Sequence, residues 1–404
     1  MEDNESNAVS QLIVAHSCAP VSVGLVVAID ASRNRSGGAK AHLLGVLNCG
    51  HPHAYDIAAV HVWSYDSLLD QLPDVPWLIK HSPPELKQSL LFQLWWQYRV
   101  LSREIVTAGC NVLLSTDAGT VCSFSPSVVM SRDMLSFEGN EMRRYLLLSF
   151  PRLRLFLLKK MQISSLRRAS GVLFLTQYAS RVIQRFSGKL TTVRVIPHGI
   201  GEQFRQSTSG GVWPKSMPSI SCVYVSNVDM YKHQWHVVSA IAALRKKGHP
   251  VLLRLVGAAG DGRAKVLLRE ALDREDPEGD FVEICDAVPH NEIPSHLAKA
   301  DIFIFASSCE NMPNTLVEAM ASCIPIACSD RGPMPEILRD AGTYFDPEDS
   351  ASIAKAIERL IVEDTFRLEV VRKAQALSCQ YSWTRCARET WGFLAQVYEH
   401  AGLG

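Results

Sequence analysis

The stretch SSCENMPNTLVEAMASCIPIACSDRGPMPEI, residues 307–337, decides how this chain is read. It continues DIFIFAS (301–307), an apolar run of the kind buried in the middle of a parallel sheet. Glu310 falls in the loop after that run, Pro313 suits a first helical turn, and Glu318 lies inside the helix. IPIACS (324–329) then reads as the next strand. A helix N-terminus placed after a strand offers unpaired N–H groups and a positive dipole end, which suit a phosphate or a polarised hydroxyl. Two carboxylates eight residues apart, one ahead of the helix and one within it, can bond two groups of hydroxyls on one extended ligand. Alone, such a pair is more often a loop charge and a solvated helical charge; its place after a buried strand favours a site.

Outward from this stretch the same alternation continues. SCVYVS (221–226), VLLRLVG (251–257) and FVEIC (281–285) read as strands, with helices near 233–247, 263–275, 291–299, 314–322 and 350–362. In the first half the strands are VGLVVAI (23–29), IAAVHVW (57–63), NVLLS (111–115), SVVMS (127–131), GVLFLT (171–176) and TVRVI (192–196). Helical patterns lie around 37–48, 85–107, 140–168 and 178–187. Continuous apolar strands alternating with helices predict parallel sheets covered on both faces. The series restarts after RQSTSGGVWPKSMPS (205–219), a Ser-, Gly- and Pro-rich linker or surface loop. The expected fold is α/β, with two Rossmann-like, doubly wound domains facing across a cleft. Residues 1–20 form a flexible N-terminus, 21–198 the first domain and 199–380 the second. A helical, aromatic segment, 381–404, is expected to cross back toward the first domain. In open parallel sheets ligands bind beyond the carboxyl ends of the strands, so the loops after strands hold the candidates.

The second half resembles the retaining glycosyltransferases of family 4, which have the two-domain GT-B fold. The resemblance rests on E-x7-E, on AMA and IPIACS after it, on the turn from Gly332 to Glu336, and on YFDP (344–347). It covers about 193–362 and is weaker in the first domain. It implies that Glu310 contacts the donor sugar and Glu318 the nucleotide ribose. In VYVSNVDMYKHQWHVV (223–238), Lys232 matches a lysine that reaches the donor diphosphate, where a cation offsets charge on the leaving phosphate. An arginine five residues earlier is expected; Asn227 stands there and brings no charge. Gly37 and Gly38, in DASRNRSGGAK (30–40), match a Gly-Gly loop near the diphosphate, and backbone N–H groups of Asn311, Met312, Pro313-flanking residues and Asn314 face the same charge. LVGAAGDG (255–262), with Gly257, reads as a second glycine-rich loop on the nucleotide side. Many family members carry a histidine after the fourth strand. Here VVMSRDMLSFEGNE (128–141) has none, and Arg132, Asp133 and Glu138 are the acceptor-side candidates, with loop salt bridges as the plainer alternative. His198, at the hinge, reads as structural.

The implied activity is transfer of a hexose from a nucleotide diphosphate sugar to a hydroxyl of a glycan or lipid-linked acceptor, in bacterial surface polysaccharide synthesis. Glu310 and Lys232 are the expected catalytic residues, with no cofactor and no metal. A GT-B enzyme with a soluble acceptor is an alternative, against which the basic Leu-rich block speaks, and Asn227 with the missing histidine motivates a silent sugar-nucleotide-binding partner subunit.

Composition narrows the classes further. The chain has 404 residues, 47% hydrophobic and 20% charged, with 41 cations and 41 anions. That length suits two domains and excludes a disulfide-stapled mini-protein. The 11 cysteines form no CxxC pairs, which reads as reduced thiols rather than a zinc site. MEDNES, ahead of the uncharged stretch 8–29, is acidic where a signal peptide needs positive charge, so a cytoplasmic location is expected. Residues 143–201 hold 12 Lys/Arg and no acid, between two acidic regions. Within them RRYLLLSFPRLRLFLLKKMQISSLRR (143–168) interleaves Leu and Phe with cations, which suits an anionic membrane surface on the inner face of the cytoplasmic membrane. A buried helix with a solvated basic edge is the alternative. No nucleic-acid motif accompanies the charge.

Overall fold

The computed structural model describes residues 24–402, apart from 36, 147–148, 206–210, 215–216, 259 and 261. The expected flexible segment 1–20 lies outside the described residues, as does part of the linker 205–219.

Two parallel sheets organise the chain. The first holds seven strands: β1 (Leu25–Asp30), β2 (Ile57–Trp63), β3 (Leu78–His81), β4 (Val112–Ser115), β5 (Ser127–Met130), β6 (Gly171–Phe174) and β7 (Val193–Val195), in the order 3-2-1-4-5-6-7. The second holds six: β8 (Ile220–Val225), β9 (Val251–Val256), β10 (Val282–Cys285), β11 (Ile302–Phe305), β12 (Ile326–Ser329) and β13 (Thr343–Phe345), in the order 10-9-8-11-12-13. Both orders reverse direction beside the first strand of the sheet, between β1 and β4 and between β8 and β11. Those are the switch points where open α/β sheets form crevices.

Strand alternation sends side chains to two layers. Val27 and Ile29 of β1 pack with Leu43, Val46 and Leu47 of the helix Gly37–Cys49, while Ala28 faces Trp63, Trp96, Leu101 and Ile105. The last helix, Trp383–Gly402, lies on Gly37–Cys49: a Cβ on Gly45 would fall 2.2 Å from the Trp383 ring. Gly392 likewise leaves room for Tyr55, and Gly171 for Val397 and Phe393. The C-terminal helix therefore completes the outer layer of the first sheet.

Four local features differ from the sequence reading. The pattern at 85–107 is two helices, Leu90–Arg99 and Leu101–Thr107, after a short 3-10 turn at Pro84–Lys87. The pattern at 140–168 is also two, Gly139–Arg143 and Phe150–Arg168. Pro151, which has no N–H and clashes with a preceding turn, sits in the first turn of the second. The edge strands β3 and β13 were not anticipated, because LIKH and TYF are too short to show a period.

Candidate active site

Two loops of the second sheet carry the charged centre. The loop after β11 runs through buried Ser307, Ser308 and Cys309 to Glu310. The loop after β8 runs from Ser226 to His233, ahead of the helix Gln234–Lys246. The Ser308 N–H donates to the Tyr231 carbonyl (2.8 Å), and the Tyr224 hydroxyl donates to the Lys232 carbonyl (2.9 Å). His233 takes a left-handed conformation, φ 54°, and its Nε2 lies 2.9 Å from the Ser308 hydroxyl. These ties aim Lys232 at Glu310, and the two side chains form an ion pair, 12% and 17% exposed. The sequence reading assigns both residues to one ligand; the structure adds that they pair with each other. Asn227 is exposed, and its carbonyl accepts from Gln234 (2.8 Å). Gly257 takes φ 151°, and a Cβ there would fall 2.1 Å from the Ser226 carbonyl oxygen. Its glycine is therefore required by the packing of this loop on its neighbour.

Glu318, in the helix Asn314–Ala321, is 7% exposed. His290 Nε2 lies 2.8 Å from its Oε1, while Oε2 has no hydrogen-bond partner among the described residues. A buried acceptor left unmade costs about 1–3 kcal/mol, so this oxygen is prepared for a donor such as a hydroxyl. The carboxylate in turn raises the His290 pKa. His290 sits in the loop after β10 and carries no motif, so sequence reading passed over it. Buried Asn311 also leaves both side-chain polar atoms unpartnered among the described residues.

The opposite wall comes from the first sheet. Gly38 opens the helix after β1, and a Cβ there would fall 2.9 Å from Asn314 Nδ2. The glycine lets the two helix starts touch. His198 Nδ1 lies 3.2 Å from Asn314 Oδ1, and the His198 ring stands 4.8 Å from that of His42. Burial holds both imidazoles toward the neutral form; that of His198 is lowered to about 4. His198 thus has a packing role, as read, and also meets a candidate donor-site residue. His42, one helical turn after Gly38, was missed.

The three acceptor-side candidates do not converge. Asp133 accepts from the Leu135 N–H (3.1 Å) and from Gln162 (3.3 Å), which ties the loop after β5 to the helix Phe150–Arg168. Glu138 accepts from the Tyr178 hydroxyl. Arg132 alone keeps unused donors: Nε and Nη1 are buried without a partner among the described residues, and Nη2 stands 3.8 Å from Asp117.

A clasp closes the cleft on one side. Both oxygens of Glu336 accept N–H groups at the start of the helix Gln177–Ser187, from Gln177 and Tyr178, each at 2.7 Å. The helix dipole favours that carboxylate. The Thr176 hydroxyl donates to the Asn311 carbonyl (3.0 Å), and Arg144 pairs with Glu141 of its own domain and Glu348 of the other. Glu141, His233 and Glu348 present atoms within 4.8 Å of one another, a spacing that also suits a cation. The Arg144 guanidinium already fills that charge, and burial beside it lowers the His233 pKa to about 3.

With this geometry in place, the chain was compared with known proteins. Residues 212–376 match the family described as Glycosyl transferases group 1. The second half of the chain carries a group 1 glycosyltransferase domain. Asn227, Lys232, Gly257, Glu310, Glu318 and Glu336 all lie within this group 1 domain. Among curated relatives, the chain is 29% identical over 124 residues to O-antigen chain mannosyltransferase B of Escherichia coli, covering 31% of this chain and 32% of that protein. It is 27% identical over 183 residues to D-inositol 3-phosphate glycosyltransferase of Corynebacterium kroppenstedtii, covering 44% and 40%. The match thus spans about a third to two-fifths of these relatives' length. Whole-chain likeness is structural. Sucrose-phosphate synthase from Thermosynechococcus elongatus superposes with TM-score 0.73 at 16% identity, over 94% of this chain and 99% of that one. Anabaena HepE in complex with UDP and glucose gives 0.68 at 18%, over 92% and 100%. The group 1 domain and the sheet before it therefore make the two-domain GT-B fold.

Proposed function

We propose that this protein is a retaining glycosyltransferase that moves a hexose from a nucleotide diphosphate sugar to a hydroxyl of a glycan or lipid-linked acceptor in surface polysaccharide synthesis. The observation that carries the reading is the pairing of Lys232 with Glu310 at the switch point of the second sheet, beside Glu318 with its unpartnered oxygen. Glu318 binds ribose hydroxyls, Glu310 the hexose, and Lys232 the diphosphate. The glycosidic C1–O bond breaks, and the phosphate oxygen leaves with the electron pair. The acceptor oxygen bonds to C1 on the same face, and its proton passes to that phosphate oxygen. Catalysis then rests on positioning and on charge stabilisation, with no cofactor or metal. The relative named for O-antigen chain synthesis supports the polysaccharide setting.

A lipid-linked acceptor requires approach to a membrane. No described helix is long and apolar enough to span one. The first half of the helix Phe150–Arg168 exposes Phe150, Leu153, Phe156 and Leu157 between Arg152, Arg154 and Lys160. The helix Leu90–Arg99 exposes Leu90, Leu91, Phe92, Trp95 and Tyr98. Leu113 under the latter and Val129 under the former lie on the same face of the first sheet, because Ser115, two residues after Leu113, pairs with Val129. Both apolar strips flank that face, and the cations suit anionic lipid. Reversing Arg152, Arg154 and Lys160 to Glu should release the protein from phosphatidylglycerol vesicles; unchanged co-sedimentation sinks the membrane reading.

The donor reading is tested by titrating the purified protein with UDP-, GDP- and ADP-sugars, with Glu318→Ala alongside. Saturable binding of one donor, weakened about 10-fold or more in the variant, is expected for a lost charged hydrogen bond. Binding of no donor, or equal binding by the variant, overturns the assignment.

A further inference from the structure

On the group 1 side of the cleft Lys232 pairs with Glu310, while Asn227, where the resemblance leads one to expect a second cation, is neutral. Across the cleft, the loop after β5 holds Arg132, a cation with two donors unpartnered among the described residues. Arg132 is 13% exposed on its side chain, and its Nε and Nη1 have no partner among the described residues. Its nearest carboxylate, Asp117, is 3.8 Å from Nη2, and one oxygen of Asp117 is already bonded by the Gly119 N–H (2.7 Å). Arg33 stands 4.0 Å from the same carboxylate, so two guanidiniums share Asp117, and buried Asp30 also acts on Arg132 electrostatically. Arg132 is also close enough to His42 and His198 to lower both of their pKa values. His198 bonds Asn314 at the start of one helix, and Gly38 at the start of the other abuts the same asparagine. Arg132 thus acts electrostatically on two histidines that stand by two helix starts, each favourable to an anion. Desolvation makes an unpaired buried charge costly, and a bidentate oxyanion is the partner that guanidinium geometry matches.

We propose that Arg132 binds the terminal phosphate of the nucleotide diphosphate, supplying from the first domain the second cation that Asn227 does not provide. The proposal rests on the glycosyltransferase reading and extends it: the two cations reach the diphosphate from opposite walls, so the full clamp exists only when both domains engage one ligand. It assigns Arg132 to the leaving group rather than to the acceptor.

The test is isothermal titration of the full chain with UDP, GDP and ADP and with the corresponding monophosphates, for the wild type, Arg132→Gln and Arg132→Lys. For the diphosphate that binds, Arg132→Gln is expected to weaken affinity about 10- to 100-fold, the scale of a lost charge-assisted bidentate contact. The matching monophosphate should change less than about twofold, because it lacks the group that Arg132 holds. Arg132→Lys should fall between, since a point charge keeps attraction without the fork, and it serves as the readout if Arg132→Gln does not fold. Equal weakening of mono- and diphosphate, or no weakening of either, overturns the proposal and leaves the donor reading intact. Failure of the wild type to bind any diphosphate overturns both.

Discussion

The two walls of the cleft handle charge in opposite ways. On the wall from the second sheet, the acids and bases are paired with each other: Lys232 with Glu310, and His290 with Glu318. On the wall from the first sheet, Arg132 keeps two unpartnered donors, and His42 has no hydrogen bond on either ring nitrogen among the described residues. Mutual pairing lowers the cost of burying those charges. Both walls also keep buried polar atoms unpartnered among the described residues, Glu318 Oε2 on one and Arg132 Nε on the other, which a fold tolerates where something else completes them. The difference teaches that, on the reading proposed above, a ligand displaces an ion pair on one side and bonds the guanidinium of Arg132 on the other.

The largest effect expected from breaking this contrast is at the ion pair. Glu310→Ala should lower donor turnover by about 10²- to 10³-fold, the scale seen when a positioned transition-state contact is removed. Far-UV circular dichroism should stay unchanged. A rate within threefold of the wild type would make the pair a packing feature, and the contrast between the walls would lose its functional meaning.

Next comes the clasp. Glu336→Ala removes an acceptor for two N–H groups at the start of Gln177–Ser187, worth about 1–2 kcal/mol by analogy with lost helix caps. The thermal midpoint should fall by about 2–8 °C for a domain of this size. An unchanged midpoint would mean that water replaces the carboxylate and that the walls are held together elsewhere.

The smallest effect is a pH dependence confined to the second wall. His290 has its pKa raised by Glu318, so the stabilisation from this pair is fully present below about pH 6.5, the unfolded value. It fades as pH rises through the higher folded value. His290→Gln should therefore lower the thermal midpoint more at pH 5.5 than at pH 8.5. The same difference at both pH values would show that His290 contributes packing and not charge.

Much of the frame was legible from the order of apolar runs. β2 spans the residues read as a strand, 57–63, and the helix Ser350–Val362 spans the residues read as a helix. Glu310, Lys232 and Glu318 could be picked out because a family resemblance singled them out and local pattern put them after buried strands, Glu318 inside the following helix. The remaining features were hidden for one reason: their partners are far away in sequence. Glu336 bonds Tyr178 across 158 positions, and Gly38 abuts Asn314 from the other sheet. His290 has an isolated position in a loop, and its meaning depends on a carboxylate 28 residues later.

Local sequence thus determined the alternation of strand and helix, because backbone hydrogen bonding and side-chain period act over a few residues. It also determined which charged residues stand at strand ends. Only the tertiary structure decided which of those charges neutralise one another and which, like Arg132, keep donors unpartnered among the described residues. That depends on distances of 3–4 Å between segments whose separation along the chain carries no information about their separation in space.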